Sequence, residues 1–265
     1  FYGENELPLY IGKSNNIYQR VRSHFSNTGR SDRSLTMIQQ LRRIEHIETA
    51  GELGALLKEA RLIKQMQPLF NRRLRDSKTL VSIYWDIGNP APPRIVDCSQ
   101  PAEHDMTHLF GLFRSKRSLQ QRLKTLATQH RLCLKRLGLE KGKGPCVGYQ
   151  LGKCDGACID EQLDMRHRLR LAEALSTIKL ETWPYPGPIA IRESDHEGQD
   201  IHIIDQWRHL QTIHLTHEED FIPASLELKP RPLDIDIYKI LLSFLRKASQ
   251  RSVIKLDKLA VEANQ

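Results

Sequence analysis

The sequence lacks several features that define common protein classes. It has no run near the roughly 20 apolar residues that a membrane-spanning helix requires, so we expect no membrane association. It has no Walker A loop and no Rossmann fingerprint, which argues against a nucleotide cofactor. No internal repeat is found, which argues against a solenoid or propeller.

The composition is that of a folded protein with an excess of positive charge. The chain has 265 residues, of which 39% are hydrophobic and 27% charged, so disorder is not expected. This length suits one large or two modest domains. The net charge of +8 favours a polyanionic partner, and nucleic acid is the usual one.

The positive charge is concentrated between Met106 and Leu139, which contain eight Lys or Arg residues and no Asp or Glu. Leu119, Leu123 and Leu126 have the spacing of a helix face. The cations form either a solvated helix face or a face that contacts phosphates, which would make binding salt-dependent. The predicted DNA-binding residues are Arg114, Lys116, Arg117, Arg122, Lys124 and Arg131.

Cysteine is scarce, yet four of the five cysteines form the pattern C-x12-C-x7-C-x3-C, at Cys133, Cys146, Cys154 and Cys158. The intervening segment is rich in glycine and poor in apolar residues, so something must hold it together. Three explanations compete: reduced cysteines with no ligand, disulfides, and a metal centre. Disulfides are not expected in a cytoplasmic protein. A metal centre is favoured, and the spacing leaves zinc and an iron–sulfur cluster open. Cys98 stands apart as a structural thiol.

Near the start of the chain, Leu9-Tyr10-Ile11 predicts a short strand that ends at Gly12. Ser14-Asn15-Asn16 supplies N-cap residues for a helix carrying Arg20 and His24 four residues apart. A second amphipathic helix covers residues 52–66, with Glu59 at the border of its apolar stripe.

These residue types are suited to cutting a phosphodiester. A carboxylate such as Glu59 can bind a divalent metal, and cations such as Arg20 and Lys13 can neutralise charge on a phosphate. The phenol of Tyr10 can relay a proton. Taken singly, each has an ordinary structural explanation, as a strand aromatic or a helix-surface charge.

Two segments, Y-I-G-K-S-N-N-I-Y-Q-R-V and G-A-L-L-K-E-A-R-L-I-K-Q-M-Q-P-L-F-N, resemble the second half of a GIY-YIG nuclease domain. The version they resemble most is that of UvrC-type excinucleases and their short homologue Cho. The resemblance implies that Glu59 binds Mg²⁺ or Mn²⁺. It implies a catalytic set of Tyr10, Lys13, Arg20, His24, Glu59 and Asn71, with His24 standing where the family usually has a tyrosine.

One part of the family pattern is not in the chain. GIY-YIG domains open with a Gly-Val-Tyr or Gly-Ile-Tyr motif, and this chain begins at Phe1. We expect the tyrosine of that motif to precede Phe1.

The resemblance extends to the cysteines, because UvrC-type proteins carry a four-cysteine segment of nearly this spacing after the nuclease domain. It implies that Cys133, Cys146, Cys154 and Cys158 hold a [4Fe–4S] cluster, with Zn²⁺ as the alternative.

The expected fold is mixed α+β. Residues 1–78 are predicted to form a small GIY-YIG domain with a central antiparallel sheet, including a strand at Ile44–Thr49, and flanking helices. Connecting strands are expected over 79–112, basic helices with the cysteine cluster over 113–180, and an α+β domain over 181–265.

The histidines around Trp207 have spacings that suit strand faces and loops better than a metal site. They are His202, His209, His214 and His217.

The resemblance implies a cytoplasmic DNA endonuclease of nucleotide excision repair and the SOS response. It would incise the damaged strand on the 3′ side of a lesion in double-stranded DNA, together with UvrA- and UvrB-type proteins, especially UvrB. Two alternatives remain: a GIY-YIG nuclease of restriction or homing type, and a non-catalytic DNA-binding protein stabilised by metal.

Overall fold

The computed structural model describes residues 1–26, 32–71, 79–89, 91–99, 105–216, 229, 231–247 and 253–255. Its helices in these ranges are α1 (Ile17–Ser26), α2 (Asp32–Gln40), α3 (Glu52–Met66), α4 (Lys116–Gln129), α5 (Val147–Gln150), α6 (Asp164–Ser176) and α7 (Ile235–Leu245). Its strands there are β1 (Val81–Tyr84), β2 (Arg94–Asp97), β3 (Leu109–Phe113), β4 (Ile189–Ser194), β5 (Gln199–Asp205), β6 (Arg208–Leu215) and β7 (Val253–Lys255). None of the helices described is long and apolar enough to cross a bilayer.

The chain divides into two compact units. The first unit combines Phe1–Asp76 with Trp183–Arg231 and Asp236–Gln265, so both ends of the chain contribute to it. The second unit consists of Ser77–Thr182 and Pro232–Ile235.

At the start of the first unit, the chain turns back on itself within ten residues. Gly3 N–H donates to the Leu7 carbonyl at 2.8 Å, and the amino group of Phe1 donates to the Tyr10 carbonyl at 2.9 Å. Among the residues described in this part of the chain, strand pairing consists of single bridges from Tyr2 to Pro8 and to Arg43.

The regular strands predicted at Leu9-Tyr10-Ile11 and at Ile44–Thr49 are therefore wrong for the segments described. The tight turn at Asn5 and Glu6, both with positive φ, shortens the first, and Pro8 has no N–H to extend a ladder. Ile44–Thr49 forms irregular chain instead of a strand.

Helix α3 confirms the predicted amphipathic helix. Its buried face consists of Leu53, Leu57, Ala60 and Ile63, and Glu59 lies half-buried at the edge of that face. The helix ends at Gln67 in the left-handed conformation, whose N–H donates to the Ile63 carbonyl. At the other end, Gly51 has no side chain to cap the first turn.

The C-terminal part of the first unit is an antiparallel sheet in the order β6-β5-β4-β7. Ala190, Ile201, Ile203 and Leu210 form one buried cluster on it. His202 lies on β5, and His209 and His214 lie on β6, so these histidines belong to strands, as predicted. His217 lies outside the described residues.

The second unit is built on an antiparallel sheet in the order β2-β1-β3. Leu119, Leu123 and Leu126 of α4 pack with Val81, Ile83 and Trp85 of the sheet region and with Leu171 and Leu175 of α6. The predicted basic helix is thus α4, and Ser115 caps it by accepting from Ser118 N–H at 3.1 Å. With two antiparallel sheets and these helices, the α+β fold class is confirmed.

One strand histidine makes the stability of the first unit depend on pH. Burial, assisted by His202 and the Arg231 guanidinium, lowers the pKa of His209 from 6.5 to about 4. The unfolded chain therefore binds more protons than the folded one between these two values. This contribution to stability is complete above pH 6.5 and is lost as pH falls towards 4.

We expect His209→Gln to reduce the acid sensitivity of folding by on the order of 1 kcal/mol. Urea unfolding at pH 7.5 and pH 5 measures this, with exposed His46→Gln as the control. Equal losses of stability on acidification in wild type and His209→Gln would contradict it.

Candidate active site and metal centre

Glu59 lies on α3 opposite the segment that follows Tyr10. Its Oε1 accepts a hydrogen bond from the backbone N–H of Lys13 at 3.1 Å. Burial raises the pKa of Glu59, and that N–H together with the charges of Lys13 and Arg20 opposes the rise. A half-buried carboxylate with cations nearby gains from binding a metal ion, because the ion offsets the cost of burying its charge.

Tyr10, Arg20 and His24 form a second group beside Glu59. The Arg20 guanidinium donates to the Tyr10 hydroxyl oxygen at 2.7 Å. The rings of Tyr10 and His24 pack edge to face with centroids 5.2 Å apart. A Cβ on Gly12 would lie 2.6 Å from the Tyr10 hydroxyl oxygen, so the glycine leaves room for the phenol.

Helix α1 starts as predicted. Asn16 Oδ1 accepts from Gln19 N–H at 2.9 Å, and Asn16 N–H donates to Ser14 Oγ at 3.1 Å. This cap fixes the first turn of α1 and so the position of Arg20 one turn later.

Lys13 makes two contacts with α3, one through its side chain and one through its backbone. Its ammonium group pairs with Glu52 Oε1 at 2.6 Å. Its backbone N–H donates to Glu59, which lies about two helical turns after Glu52 on α3. Lys13 therefore contacts two carboxylates of α3, Glu52 through its ammonium group and Glu59 through its backbone N–H.

Asn71 does not line the groove that the other predicted residues share. Its Oδ1 accepts from Ile11 N–H at 3.0 Å, and its Nδ2 donates to the Ile11 carbonyl at 2.8 Å. The side chain is buried with both functional groups in use. Asn71 thus holds the backbone next to Tyr10 in place.

The other five predicted residues line one groove of about 710 Å³. The irregular segment Ile44–Thr49 forms part of its wall, and Asp195 and His196 of the turn between β4 and β5 also line it. A carboxylate, a phenol and a guanidinium therefore line the same groove.

The donor set fits a hard divalent cation. Mg²⁺ commonly binds proteins through one or two carboxylates and completes its shell with waters and substrate phosphates. Glu59 can supply that single carboxylate, since only its Oε1 is engaged within the described part of the chain.

The four predicted cysteines come together in the second unit. Cys146 Sγ lies 3.7 Å from the sulfurs of both Cys133 and Cys154, and Cys146 N–H donates to Cys158 Sγ at 3.4 Å. The sulfurs of Cys133, Cys146 and Cys158 all lie within 4.8 Å of one another. All five cysteines are free thiols.

Burial and hydrogen bonding shift the pKa values of the cysteine thiols in opposite directions. Burial raises the pKa of Cys133 to about 12, whereas burial at Cys146 is outweighed by the Tyr149 N–H and the neighbouring thiols, and its pKa is lowered. Backbone N–H groups of Tyr149 and Gly156 donate to sulfurs at 3.3 Å. Such donors stabilise metal-bound thiolates.

Comparison with known proteins assigns the family. The model of the UvrC-like GIY-YIG domain matches residues 1–72, that of the UvrC/Cho excinuclease middle domain matches 82–177, and that of the excinuclease Cho C-terminal domain matches 188–260. Excinuclease Cho of Salmonella typhimurium is 40% identical over 97% of this chain and 84% of its own length. The chain belongs to the UvrC/Cho excinuclease family.

Two further relatives agree with this assignment. Excinuclease Cho of Escherichia coli strain K12 is 40% identical over 91% of this chain and 79% of its own length. The UvrABC system protein C of Caldicellulosiruptor saccharolyticus is 33% identical over 58% of this chain and 26% of its own length. No solved structure matches the chain.

Family membership confirms two predictions. The chain is an endonuclease of the GIY-YIG type, and its family supports a role in nucleotide excision repair. Independently of the family, the sulfurs of Cys133, Cys146 and Cys158 are close enough together to hold a metal ion.

The predicted DNA-binding cations do not all lie on one free surface. Lys116, Arg117 and Lys124 of α4 are exposed, and Arg122 is half-buried. Arg131 instead pairs with Asp155 at 2.9 Å, next to Cys154, and Arg170 pairs with the same carboxylate. Arg131 therefore belongs to the cysteine region.

Sequence reasoning missed Glu52, Glu193 and the groove wall at Ile44–Thr49. Glu52 carried no signal beyond being a helix-surface acid. Glu193 is far from α3 in sequence, so no local pattern could indicate their contact.

Proposed function

We propose that this excinuclease-family protein incises the damaged strand of DNA on the 3′ side of a lesion, by metal-assisted hydrolysis of a phosphodiester. The observation that carries the proposal is the convergence of Glu59, Arg20 and Tyr10 on one groove of about 710 Å³. The family resemblance supports the side of incision.

In this proposal Glu59 holds one Mg²⁺ or Mn²⁺, which when bound supplies Lewis-acid activation of the scissile phosphate. Tyr10 helps to activate the attacking water, and the hydrogen bond that Arg20 donates to its hydroxyl oxygen holds the phenol in place. Arg20, His24 and Lys13 stabilise negative charge in the transition state. Asn71 holds the backbone beside Tyr10 in position through its hydrogen bonds with Ile11.

A duplex with one defined bulky lesion and separately labelled ends tests the proposal. We expect a nick in the damaged strand, 3′ of the lesion, that requires a divalent metal and is stimulated by UvrA- and UvrB-type proteins. A cut on the 5′ side would overturn the side assignment.

The same assay separates the two alternative functions. Cutting of undamaged DNA at a fixed sequence would favour a restriction or homing nuclease. Binding of the lesion duplex without any cleavage would favour a non-catalytic protein.

We propose UvrB-type damage-recognition proteins as the partners and the cytoplasm as the site of action. The support is the family, since one of the relatives is named as a component of a UvrABC system.

We also propose that the four cysteines hold a [4Fe–4S] cluster. The resemblance in spacing and in flanking sequence supports iron and sulfide. The sulfur separation of 3.7 Å, by contrast, is the spacing of a single tetrahedral ion: a Zn–S distance of about 2.3 Å gives about 3.8 Å between sulfurs. Binding a cluster would therefore move the sulfurs apart.

Metal analysis after anaerobic purification decides between the two ligands. The proposal expects iron and acid-labile sulfide in equal amounts, with a brown colour and absorbance near 400 nm that is lost on oxidation (roughly the region of thiolate-bound iron). A colourless protein that contains zinc would overturn it.

The exposed cations of α4 are proposed to contact DNA phosphates. Arg117 and Lys124 are seven residues apart and so lie on the same side of the helix. We expect the double variant Arg117→Gln/Lys124→Gln to weaken binding and to reduce the slope of log affinity against log salt by about 2, roughly one for each lost phosphate contact.

Titration of a fluorescent duplex at several salt concentrations measures the slope. The matched control is Lys141→Gln/Lys179→Gln, which removes the same charge from exposed positions of the same unit. Equal slopes for the two double variants would mean that α4 acts only through net charge.

A further inference from the structure

The first turn of α3 is capped by a residue from the other end of the chain. Glu193 of β4 accepts from Leu53 N–H at 2.9 Å with Oε1 and from Gly54 N–H at 2.7 Å with Oε2. These are among the N–H groups that a helix leaves without partners at its start. A carboxylate at this end also interacts favourably with the helix dipole.

The chain at this junction is built for close approach. Gly51, at the N-cap, has extended backbone and offers no capping side chain of its own. A Cβ at Gly51 would collide with the Glu193 carboxylate. The absence of a side chain at Gly51 therefore lets Glu193 take the place of a local cap.

Glu193 is itself held by two further strands. His202 of β5, which is completely buried, contacts Glu193 Oε2 through Nε2 at 3.1 Å. The other ring nitrogen of His202 lies 2.9 Å from Thr212 Oγ1 on β6. These bonds keep the pKa of Glu193 lowered although burial opposes this, so the carboxylate stays charged.

A second carboxylate of the same sheet supports the turn before α3. Asp200 of β5 accepts from Ala50 N–H at 3.3 Å, and its other oxygen lies 2.8 Å from His214 Nδ1. Two adjacent strands therefore present carboxylates to the backbone where α3 begins.

The capped turn carries one of the two contacts that Lys13 makes with α3. Glu52, beside the bonded amides, pairs with the Lys13 ammonium at 2.6 Å. Glu59, seven residues further along the same helix, accepts from Lys13 N–H at 3.1 Å. A shift of the first turn would therefore change the position of Glu59 relative to Tyr10 and Lys13.

We propose that Glu193, supported by His202 and Thr212, is a positioning residue that sets α3 and thereby Glu59 for catalysis. The C-terminal sheet would thus be part of the nuclease machinery. This inference rests on the proposed function of Glu59 as the metal ligand.

The test variant is Glu193→Gln, which keeps the shape of the side chain and removes its charge. We expect the incision rate at saturating DNA to fall by about 10- to 100-fold, since small misplacements of catalytic groups cost about this much. DNA affinity should remain within about twofold, because Glu193 makes no contact with the groove in this interpretation.

The matched control is Asp236→Asn, which removes the ion pair with Lys64 at 3.0 Å near the other end of α3. It destabilises the attachment of the same helix without touching its first turn. Amide exchange provides a readout independent of cleavage: the Leu53 and Gly54 amides should exchange faster in Glu193→Gln and unchanged in Asp236→Asn.

Several results would overturn the inference. One is a normal incision rate in Glu193→Gln, whether or not the two amides exchange faster. Another is a reduction of the incision rate in Asp236→Asn as large as that in Glu193→Gln when the two variants lose the same folding stability. Absence of incision by the wild type would instead refute the proposed function, while the exchange measurement would still report on the cap. If Glu193→Gln does not fold, Thr212→Val removes only the outer hydroxyl and is expected to give the same pattern at smaller size.

Discussion

Glu59→Gln is expected to abolish incision, with a rate reduction of at least about 10³-fold, while leaving DNA binding intact. The glutamine can still accept the Lys13 N–H through its carbonyl oxygen, so the local hydrogen bond of 3.1 Å survives. What is lost is the negative charge that holds a divalent cation. A metal that supplies several kcal/mol of transition-state stabilisation accounts for a loss of this size.

The control for this prediction is Glu48→Gln, which removes a carboxylate from the wall of the same groove. We expect it to change the rate by no more than a few-fold, since an exposed acid at the rim affects mainly the approach of DNA. Single-turnover incision rates of each variant, measured over a range of Mg²⁺ and of Mn²⁺ concentrations, test both effects. Incision by Glu59→Gln at the wild-type rate would show that Glu59 is not the metal ligand.

The groove residues could be predicted because short motifs carry them. The strong periodicity of α3 placed Glu59 at the edge of the buried face, and the cap at Asn16 defined the start of α1. Both rest on contacts between residues close in sequence, which a single sequence reports well.

The predicted strands near Tyr10 and at Ile44–Thr49 failed for a physical reason. Strand pairing depends on partners distant in sequence, and here Tyr2 pairs through single bridges with Pro8 and Arg43. An apolar alternation indicates that a segment is half-buried, but the ladder forms only where a partner is aligned with it. In α1, likewise, the apolar residues are not buried, and Ile17 and Val21 line the groove.

The roles of Asn71, Arg131 and Glu193 could not be predicted from the sequence alone. The side-chain amide of Asn71 forms hydrogen bonds with both the N–H and the carbonyl of Ile11, sixty residues earlier in the chain. Arg131 pairs with Asp155 in the cysteine loop. Glu193 lies about 140 residues from the amides that it caps. Composition and spacing identify such side chains as polar, and only the fold shows which backbone groups they satisfy.

The second large effect is expected from Cys146→Ser, which removes one sulfur of the four-cysteine cluster and should destabilise the cysteine loop. Cys146 is the centre of the cluster: its sulfur lies 3.7 Å from two other sulfurs, and its backbone N–H contacts the fourth cysteine. The local core consists of Cys133, Cys146, Cys154 and Ala157, with Cys158 and Leu163 packed against it. A core this small cannot offset the entropy of ordering the loop, so in our proposal the metal held by the four cysteines would supply most of its stability.

We therefore expect Cys146→Ser to lose its metal and to become susceptible to proteolysis within residues 138–160, with the second unit unfolding at a markedly lower temperature. Thiolate-bound metals contribute roughly 10 kcal/mol or more to such folds, well above the total stability of many domains. Metal content, limited proteolysis and thermal unfolding measure the three effects, and a chelator should reproduce them in the wild type.

Cys98→Ser is the matched control for this substitution. It makes the same chemical change at a buried cysteine of the same unit, next to β2 and outside the cluster. Its cost should be that of placing one hydroxyl in a core, about 1–3 kcal/mol, with full metal content. If Cys146→Ser instead kept its metal, or lost it without any change in proteolysis or unfolding temperature, the loop would be stable through protein contacts alone. The metal would then have a role other than structural support.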